Sequence, residues 1–453
     1  MYATCNTKHF VLSFIEKELH LGIDTSNKFD ASALDLYYLC ISFLYESMEC
    51  QTYTLPNGLR IIHQPTSSAV AYCGFTVNAG TRDEADNEWG LAHFVEHTIF
   101  KGTSHRKAWH ILNRMETVGG ELNAYTSKEE TVVYSVFPGG YLSRAMELLS
   151  DLISDSQFPE RELEKERVVI VDEINSYRDN PSELVYDEFE NLLFAGHDLG
   201  HNILGTEDTL AGISSDQAKR FLHAVYVPEN MTFFSMGSTP FGRLIRMAEH
   251  YFGSWSSPLC RRERVRPGAV VPFMERRKYD TFQTHAIIGA RAYDLFDEKR
   301  RTLVLMNNLL GGPGMNSRLN VALRERRGYV YNVESAVTSY TDTGVFSVYF
   351  GCDPIHADRC VDLVMDELKR LRTQALTSSQ LYAAKKQFIG QIGVSSDNHE
   401  NTALGMGKSF LHYNKYDSLA EVARSIEKIT AADILETANE LLPDSALCTL
   451  ILE

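Results

Sequence analysis

The sequence predicts an α+β chain of two homologous domains, each a mainly antiparallel sheet covered by helices on one side. Three observations carry that expectation. The chain has 453 residues, more than one compact domain usually holds and ample for two of about 200 residues each. Composition breaks between Ser254 and Pro272, where Ser256-Ser257-Pro258, a run of arginines and two more prolines read as a linker. The segment after the break then echoes the segment before it. Val345-Phe-Ser-Val-Tyr-Phe350 answers Val132-Val-Tyr-Ser-Val-Phe137. Leu381 and Ile392 answer Leu163 and Ile174 at nearly the same offset. Order, spacing and the repeated strand together point to duplication of one unit. The expected division is an N-terminal extension over 1–50, a first domain over 51–255, a linker over 256–272 and a second domain over 273–453.

The elements follow in order. Tyr53 to His63 reads as strand, Pro-Asn-Gly turn, strand. Cys73 to Asn78 is a strand leading into the polar turn Gly80-Thr-Arg-Asp-Glu84. Helices are expected over Gly90 to Phe100 and Trp109 to Val118. Gly119-Gly120 breaks the chain, and Glu121 to Phe137 supplies one or two strands. Leu142, Ala145, Met146, Leu149 and Ile153 have helical spacing. Pro159 opens a helix over Glu160 to Tyr177. Pro228-Glu-Asn230 is a turn before a buried strand, Met231 to Met236. Beyond the linker come a strand at Ala286 to Ala290, a helix around Leu303 to Leu310, the strand Val345 to Phe350, and helices over His356 to Gln391. Gly311-Gly-Pro-Gly314 is assigned no separate role.

Before Met48 the pattern is loosely helical and unrelated to the rest. Two readings fit: an upstream extension of the reading frame ahead of a start at Met48, or a small helical appendage. Leu36 to Tyr45 is the most apolar stretch there, and it is too short to span a bilayer and wrongly flanked for a signal peptide. The expectation is an intracellular, cytoplasmic protein with no membrane partner. Eight cysteines without a C-x-x-C pair fit a reducing compartment better than a disulfide framework or zinc knuckle. A formal net charge of −16 argues against nucleic acid as a partner, because phosphate binding needs a basic face.

His93-Phe-Val-Glu-His97 is the sharpest chemical signal. Residues four apart on a helix differ by about 40° in direction, so both imidazoles leave one face and can share a zinc ion. Glu96 lies on the same side, placed to take a proton from a metal-activated water. This is the inverted H-x-x-E-H order. Such a trio also arises by chance on surface helices, so a third ligand is needed. Glu166 and Glu173, seven apart, differ by only about 20° on a helix. One could be the ligand and the other its support; a solvated helix face is the competing reading. By the correspondence of the two copies, Glu173 falls opposite Gln391, Glu166 opposite Ala384, and His93 and His97 near Asn307 and Gly311. The second copy keeps the architecture and none of the ligands.

With these residues in place the chain resembles the pitrilysin-type (M16) zinc peptidases, which include the insulin-degrading enzymes and the mitochondrial processing peptidase. The family pattern is H-x-x-E-H followed by a liganding Glu at a set distance downstream, and Glu173 stands at that spacing from His97. The resemblance runs from Tyr53 to the C-terminus. It implies one zinc ion per chain held by His93, His97 and Glu173, with Glu96 as base and Glu166 matching the second family Glu. Gly119 to Thr126 is similar to the segment whose edge strand binds peptide, which implies that Asn123 and Ala124 bind substrate by strand addition. From spacing alone Asn123 reads as a turn residue. Arg324 and Tyr331, seven apart, resemble the pair that steadies the substrate carbonyl and the oxyanion. Without the resemblance Arg324 is an exposed basic helix end.

The resemblance further implies assembly. Two-unit members pair into a clamshell, so Arg324 and Tyr331 would serve the zinc site of a second subunit. A homodimer would be self-sufficient; a heterodimer with a paralogue is the alternative. Two other readings stand beside the peptidase. One is a scaffold subunit of a respiratory-type complex, the other a subunit that delivers peptides to a partner enzyme.

Overall fold

Six strands between Gln51 and Gly237 form the first sheet: β1 (Gln51–Thr54), β2 (Arg60–Pro65), β3 (Val70–Val77), β4 (Glu121–Thr126), β5 (Thr131–Pro138) and β6 (Met231–Gly237), in the order β1-β2-β6-β3-β5-β4. Five more form the second: β7 (Met274–Arg277), β8 (Thr284–Ala292), β9 (Val330–Ser339), β10 (Gly344–Cys352) and β11 (Cys448–Leu452), in the order β7-β11-β8-β10-β9. With β1 set aside the two orders correspond strand for strand. Even the exception corresponds: β2–β6 and β7–β11 are parallel pairs, and every other pairing is antiparallel. This computed structural model describes residues 49–256, 263–279 and 281–453. The extension expected before Met48, and that start itself, lie outside the described residues.

Helices of the first half are α1 (Leu91–Thr98), α2 (Ala108–Glu116), α3 (Leu142–Asp155), α4 (Glu160–Arg178), α5 (Pro181–Leu193), α6 (Glu207–Gly212), α7 (Ser215–Val225) and α8 (Phe241–Phe252). Those of the second are α9 (Arg300–Gly311), α10 (Ala357–Thr373), α11 (Ser378–Ser395), α12 (His399–Tyr413), α13 (Leu419–Glu427) and α14 (Ala431–Leu441). None of the described helices is long and apolar enough to cross a membrane.

Alternation along the strands shows how both faces of the first sheet are covered. Successive residues point to opposite faces. Ile61, Phe233 and Val133 enter one core, with Phe94 and Val95 of α1, Leu149 and Leu152 of α3, and Ile170 and Ile174 of α4. Their neighbours Ile62, Phe234 and Val132 enter another, against Ala403, Met406 and Phe410 of α12. The helical layer thus lies on one face, as expected, and a helix from the other half crosses the second face. The exchange is reciprocal. Val185, Phe189 and Leu193 of α5 pack on Ile287, Tyr349, Leu450 and Leu452 of the second sheet. Each large apolar side chain so buried contributes about 1.5–3 kcal/mol.

The sequence reading places no element on α5 or α12. In α12 the reason is visible: Gly405 and Gly407 weaken intrinsic helix formation by about 1 kcal/mol each relative to Ala. Tertiary contacts supply the difference. Arg60 Nη1 donates to the carbonyls of Phe410 (3.2 Å) and Leu411 (3.1 Å), satisfying the helix C-terminus. Tyr134 donates to Glu400 (2.8 Å), and Glu130 pairs with His412 (2.7 Å) and Lys408 (3.0 Å).

A buried polar knot joins the two sheets. Arg82 has a fully buried side chain and binds Asp342, in the β9–β10 turn, through both Nη atoms (2.8 and 2.6 Å). It also reaches Glu129 (2.5 Å) and the Val265 carbonyl (2.7 Å). Glu129 in turn accepts from the Thr341 amide (2.8 Å) and hydroxyl (2.7 Å). Arg264, on the chain between the sheets, pairs with Asp83 (2.7 Å). Removing one partner of such a network leaves charge buried without compensation. Arg82→Met should therefore destabilise the fold by about 3–5 kcal/mol, read as a lower denaturant midpoint; a midpoint equal to wild type would show that the knot contributes no net stability.

Candidate metal centre

The site starts with a short helix whose N-terminus has no local cap. Gly90, the residue before α1, has φ +91 and offers no side chain. Glu84 fills the role from a distance. Its carboxylate accepts from the Gly90 amide (2.9 Å) and the Ala92 amide (2.6 Å), and faces His201 Nε2 (3.2 Å). The positive end of the helix dipole favours an acid there. Burial pushes the Glu84 carboxyl well above the usual range, while the two amides oppose that rise. Leu91, Phe94 and Val95 fix one side of α1 in the core. His93, Glu96 and His97 occupy the side turned to α4 and β4.

Opposite them α4 buries Leu163, Ile170 and Ile174 and turns Glu166 and Glu173 towards α1. Glu173 Oε2 lies 3.9 Å from His93 Nε2 and 3.6 Å from His97 Nε2. The imidazole centroids are 4.6 Å apart. These three side chains offer ligand atoms that all lie within 4.8 Å of one another. The separations exceed hydrogen-bond lengths. They approach the edge of about 3.3–3.4 Å expected around a tetrahedral ion with bonds of about 2.0–2.1 Å. Two imidazoles and one carboxylate with a fourth position open is a catalytic zinc set, so these residues fit that ion. Burial, and then the neighbouring His97, lower the His93 pKa to about 3, which keeps its ring neutral and its lone pair available.

His97 is held from behind. Its Nδ1 lies 3.4 Å from Glu166 Oε2, and Glu166 Oε1 pairs with Lys101 at 2.5 Å. His93 Nδ1 is buried and has no such partner among the described residues. Glu96 is half-buried; burial raises its carboxyl pKa, against the opposing pull of hydrogen bonds from Thr126 and the charge of His97. Thr126 ends β4, the outermost strand of the first sheet, which among the described residues pairs only with β5. Asn123 and Ala124 sit mid-strand opposite Tyr134 and Val133, so the structure makes Asn123 a strand residue and not a turn residue. A second acid and histidine group, His105, Asp151 and Asp155, is already occupied: Asp151 takes His105 (2.9 Å), Arg106 (2.5 Å) and Thr103 (2.8 Å).

The equivalent place in the second half is closed. Asn307 of α9 donates to the Ser335 carbonyl of β9 (3.0 Å), and a Cβ on Gly311 would stand 2.6 Å from the Ser335 amide nitrogen. A histidine at 311 has no room there. Arg324 and Tyr331 come together elsewhere. Arg324 lies on a π-helical turn, Asn320–Glu325, and Tyr331 is the second residue of β9. Both line a cavity of about 460 Å³ with Tyr186, His285, Glu334 and Tyr349, and none of the zinc-type ligands lines it. Tyr331 is 83% exposed. Sequence reasoning missed Glu84, Lys101 and Thr126. An acid shortly before an uncapped helix was the one available signal, for Glu84.

A model described as insulinase, peptidase family M16, matches residues 60–207, and one described as the peptidase M16 inactive domain matches residues 212–388. A zinc protease of Bacillus subtilis is 31% identical over 401 residues, 88% of this chain and 97% of its own length. The chain belongs to peptidase family M16. A zinc protease of Mycobacterium tuberculosis is also 31% identical, over 394 residues, 86% of this chain and 90% of its own length. The M16 fold recurs in two crystal structures. A protease of Helicobacter pylori has a TM-score of 0.83 at 21% identity, covering 89% of this chain and 99% of that one. A peptidase M16 inactive domain of Pseudomonas fluorescens has a TM-score of 0.84 at 18% identity, covering 89% and 98%.

Gly90 offers a test of how this M16 site is positioned. An added Cβ would meet the Leu204 carbonyl oxygen at 2.7 Å, on top of the left-handed backbone. Gly90→Ala should cost at least about 1–3 kcal/mol and weaken zinc binding, as read by denaturant unfolding and chelator competition. Unchanged zinc affinity would show that the start of α1 does not set the ligand geometry.

Proposed function

We propose that this M16 member is a zinc-dependent endopeptidase acting on short or unfolded peptides. The convergence of His93 Nε2, His97 Nε2 and Glu173 Oε2 on one point carries the reading. His93, His97 and Glu173 would hold one zinc ion per chain. Zinc bound there supplies Lewis acidity, which lowers the pKa of water and polarises a peptide carbonyl. The rest falls to the protein. Glu96 accepts the proton from the attacking water at its carboxylate and returns it to the leaving amine. Its burial supports that role, since a raised pKa suits a base that must later act as an acid. The free side of β4, with Asn123 and Ala124, receives an extended peptide as an added strand, reading backbone more than side chains.

Arg324 and Tyr331 would steady the carbonyl oxygen as it gains charge. Their separation from the ligand set within one chain supports a site completed by a second subunit, and a homodimer supplies both parts. A heterodimer with a paralogue would do so only if the partner carries its own pair. The scattered cysteines support a reducing, cytoplasmic setting.

Glu96→Gln should keep about one zinc per chain by elemental analysis and lose peptide cleavage by at least about 10²–10⁴-fold; retained cleavage removes Glu96 as the base. Mixing Glu96→Gln with Arg324→Ala subunits tests sharing. Mixed dimers should recover activity that neither parent shows, and failure to recover would mean that each chain acts alone.

A further inference from the structure

Lys101 stands outside the ligand set, yet it closes a chain of contacts that ends on the metal position. We infer that Lys101 is a positioning residue that fixes His97 as a zinc ligand through Glu166; the inference rests on the zinc reading above. The two helices meet as a ladder. His93 and His97 face Glu173, His97 also faces Glu166 one step along, and Lys101 faces Glu166 beyond it. Lys101 reaches this place because its amide donates to the Thr98 carbonyl (3.0 Å), curling the chain back at the end of α1.

An imidazole that binds a metal through Nε2 must carry its proton on Nδ1 and donate it. Glu166 Oε2 is the acceptor offered to His97, at 3.4 Å. A glutamate side chain has several rotatable bonds, so something must hold that oxygen in place. The Glu166 side chain is only 12% exposed, which leaves water little part in the choice. Lys101 Nζ binds the other oxygen at 2.5 Å and so selects the rotamer. The charges point the same way. Glu96, Glu166 and Glu173 bring three negative charges to the site, a zinc ion would bring two positive ones, and Lys101 supplies the third.

The test is zinc affinity of the full-length chain, measured by competition with a chelating dye and independent of peptide cleavage. Lys101→Met should weaken zinc binding about tenfold to a hundredfold, and Lys101→Arg should restore most of it. The unfolding midpoint of the metal-free protein should stay at the wild-type value, which a merely structural lysine would not allow; Lys101→Gln replaces the Met variant if that chain does not fold. Because Lys101 acts through Glu166, adding Lys101→Met to Glu166→Gln should cause no further loss. Wild-type affinity in Lys101→Met, or an equal further loss in the Glu166→Gln background, overturns the inference while leaving the zinc reading intact. A wild-type chain that takes up no zinc overturns both.

Discussion

The turn formed by Arg82, Asp83 and Glu84 holds the molecule together, because three successive side chains there face three different parts of it. Arg82 binds Asp342 of the second sheet and Glu129 of the first. Asp83 takes Arg264 on the chain that links them. Glu84 caps the helix that carries His93 and His97. The β4–β5 turn answers it residue by residue: Lys128 donates to the His201 carbonyl, Glu129 accepts from Arg82 and Thr341, and Glu130 takes His412 and Lys408 of α12. Buried charges are costly unless paired, and here nearly every oxygen has a donor. The orientation of α1 and the docking of the two halves therefore depend on one polar junction.

Duplication explains the outline of the fold but not its cohesion. Two sheets of the same strand order could each stand alone with one bare face. Exchange of α5 and α12 covers both faces and makes the halves interdependent. It also divides the chemistry. In the first copy α1 and α4 face each other with imidazole and carboxylate side chains. In the second, Gly311 lets β9 approach until Ser335 stands in the corresponding place.

The candidate metal site itself is asymmetric. His97 is supported by Glu166 and Lys101, whereas His93 is held mainly by burial. Thr126, at the end of β4, holds down the Glu96 carboxyl pKa that burial raises, so the edge strand reaches this site.

The sequence by itself determined the local features. The β1–β2 hairpin follows from Pro56-Asn57-Gly58, the strands from their alternation, and the shared helix faces of His93 with His97 and of Glu166 with Glu173 from spacings of four and seven, because these are properties of neighbouring residues and fixed helical geometry. The register of the two copies was legible too, since repeated patterning survives divergence of individual side chains. Only tertiary structure decided the rest. Glu84 reaches α1 across a turn, Lys101 reaches Glu166 on a helix much later in the chain, and α12 crosses a sheet formed far earlier in the chain. Those contacts depend on where distant segments meet, and no periodicity within either segment encodes it. The cavity that Arg324 and Tyr331 share with Tyr186 of α5 belongs to the same class.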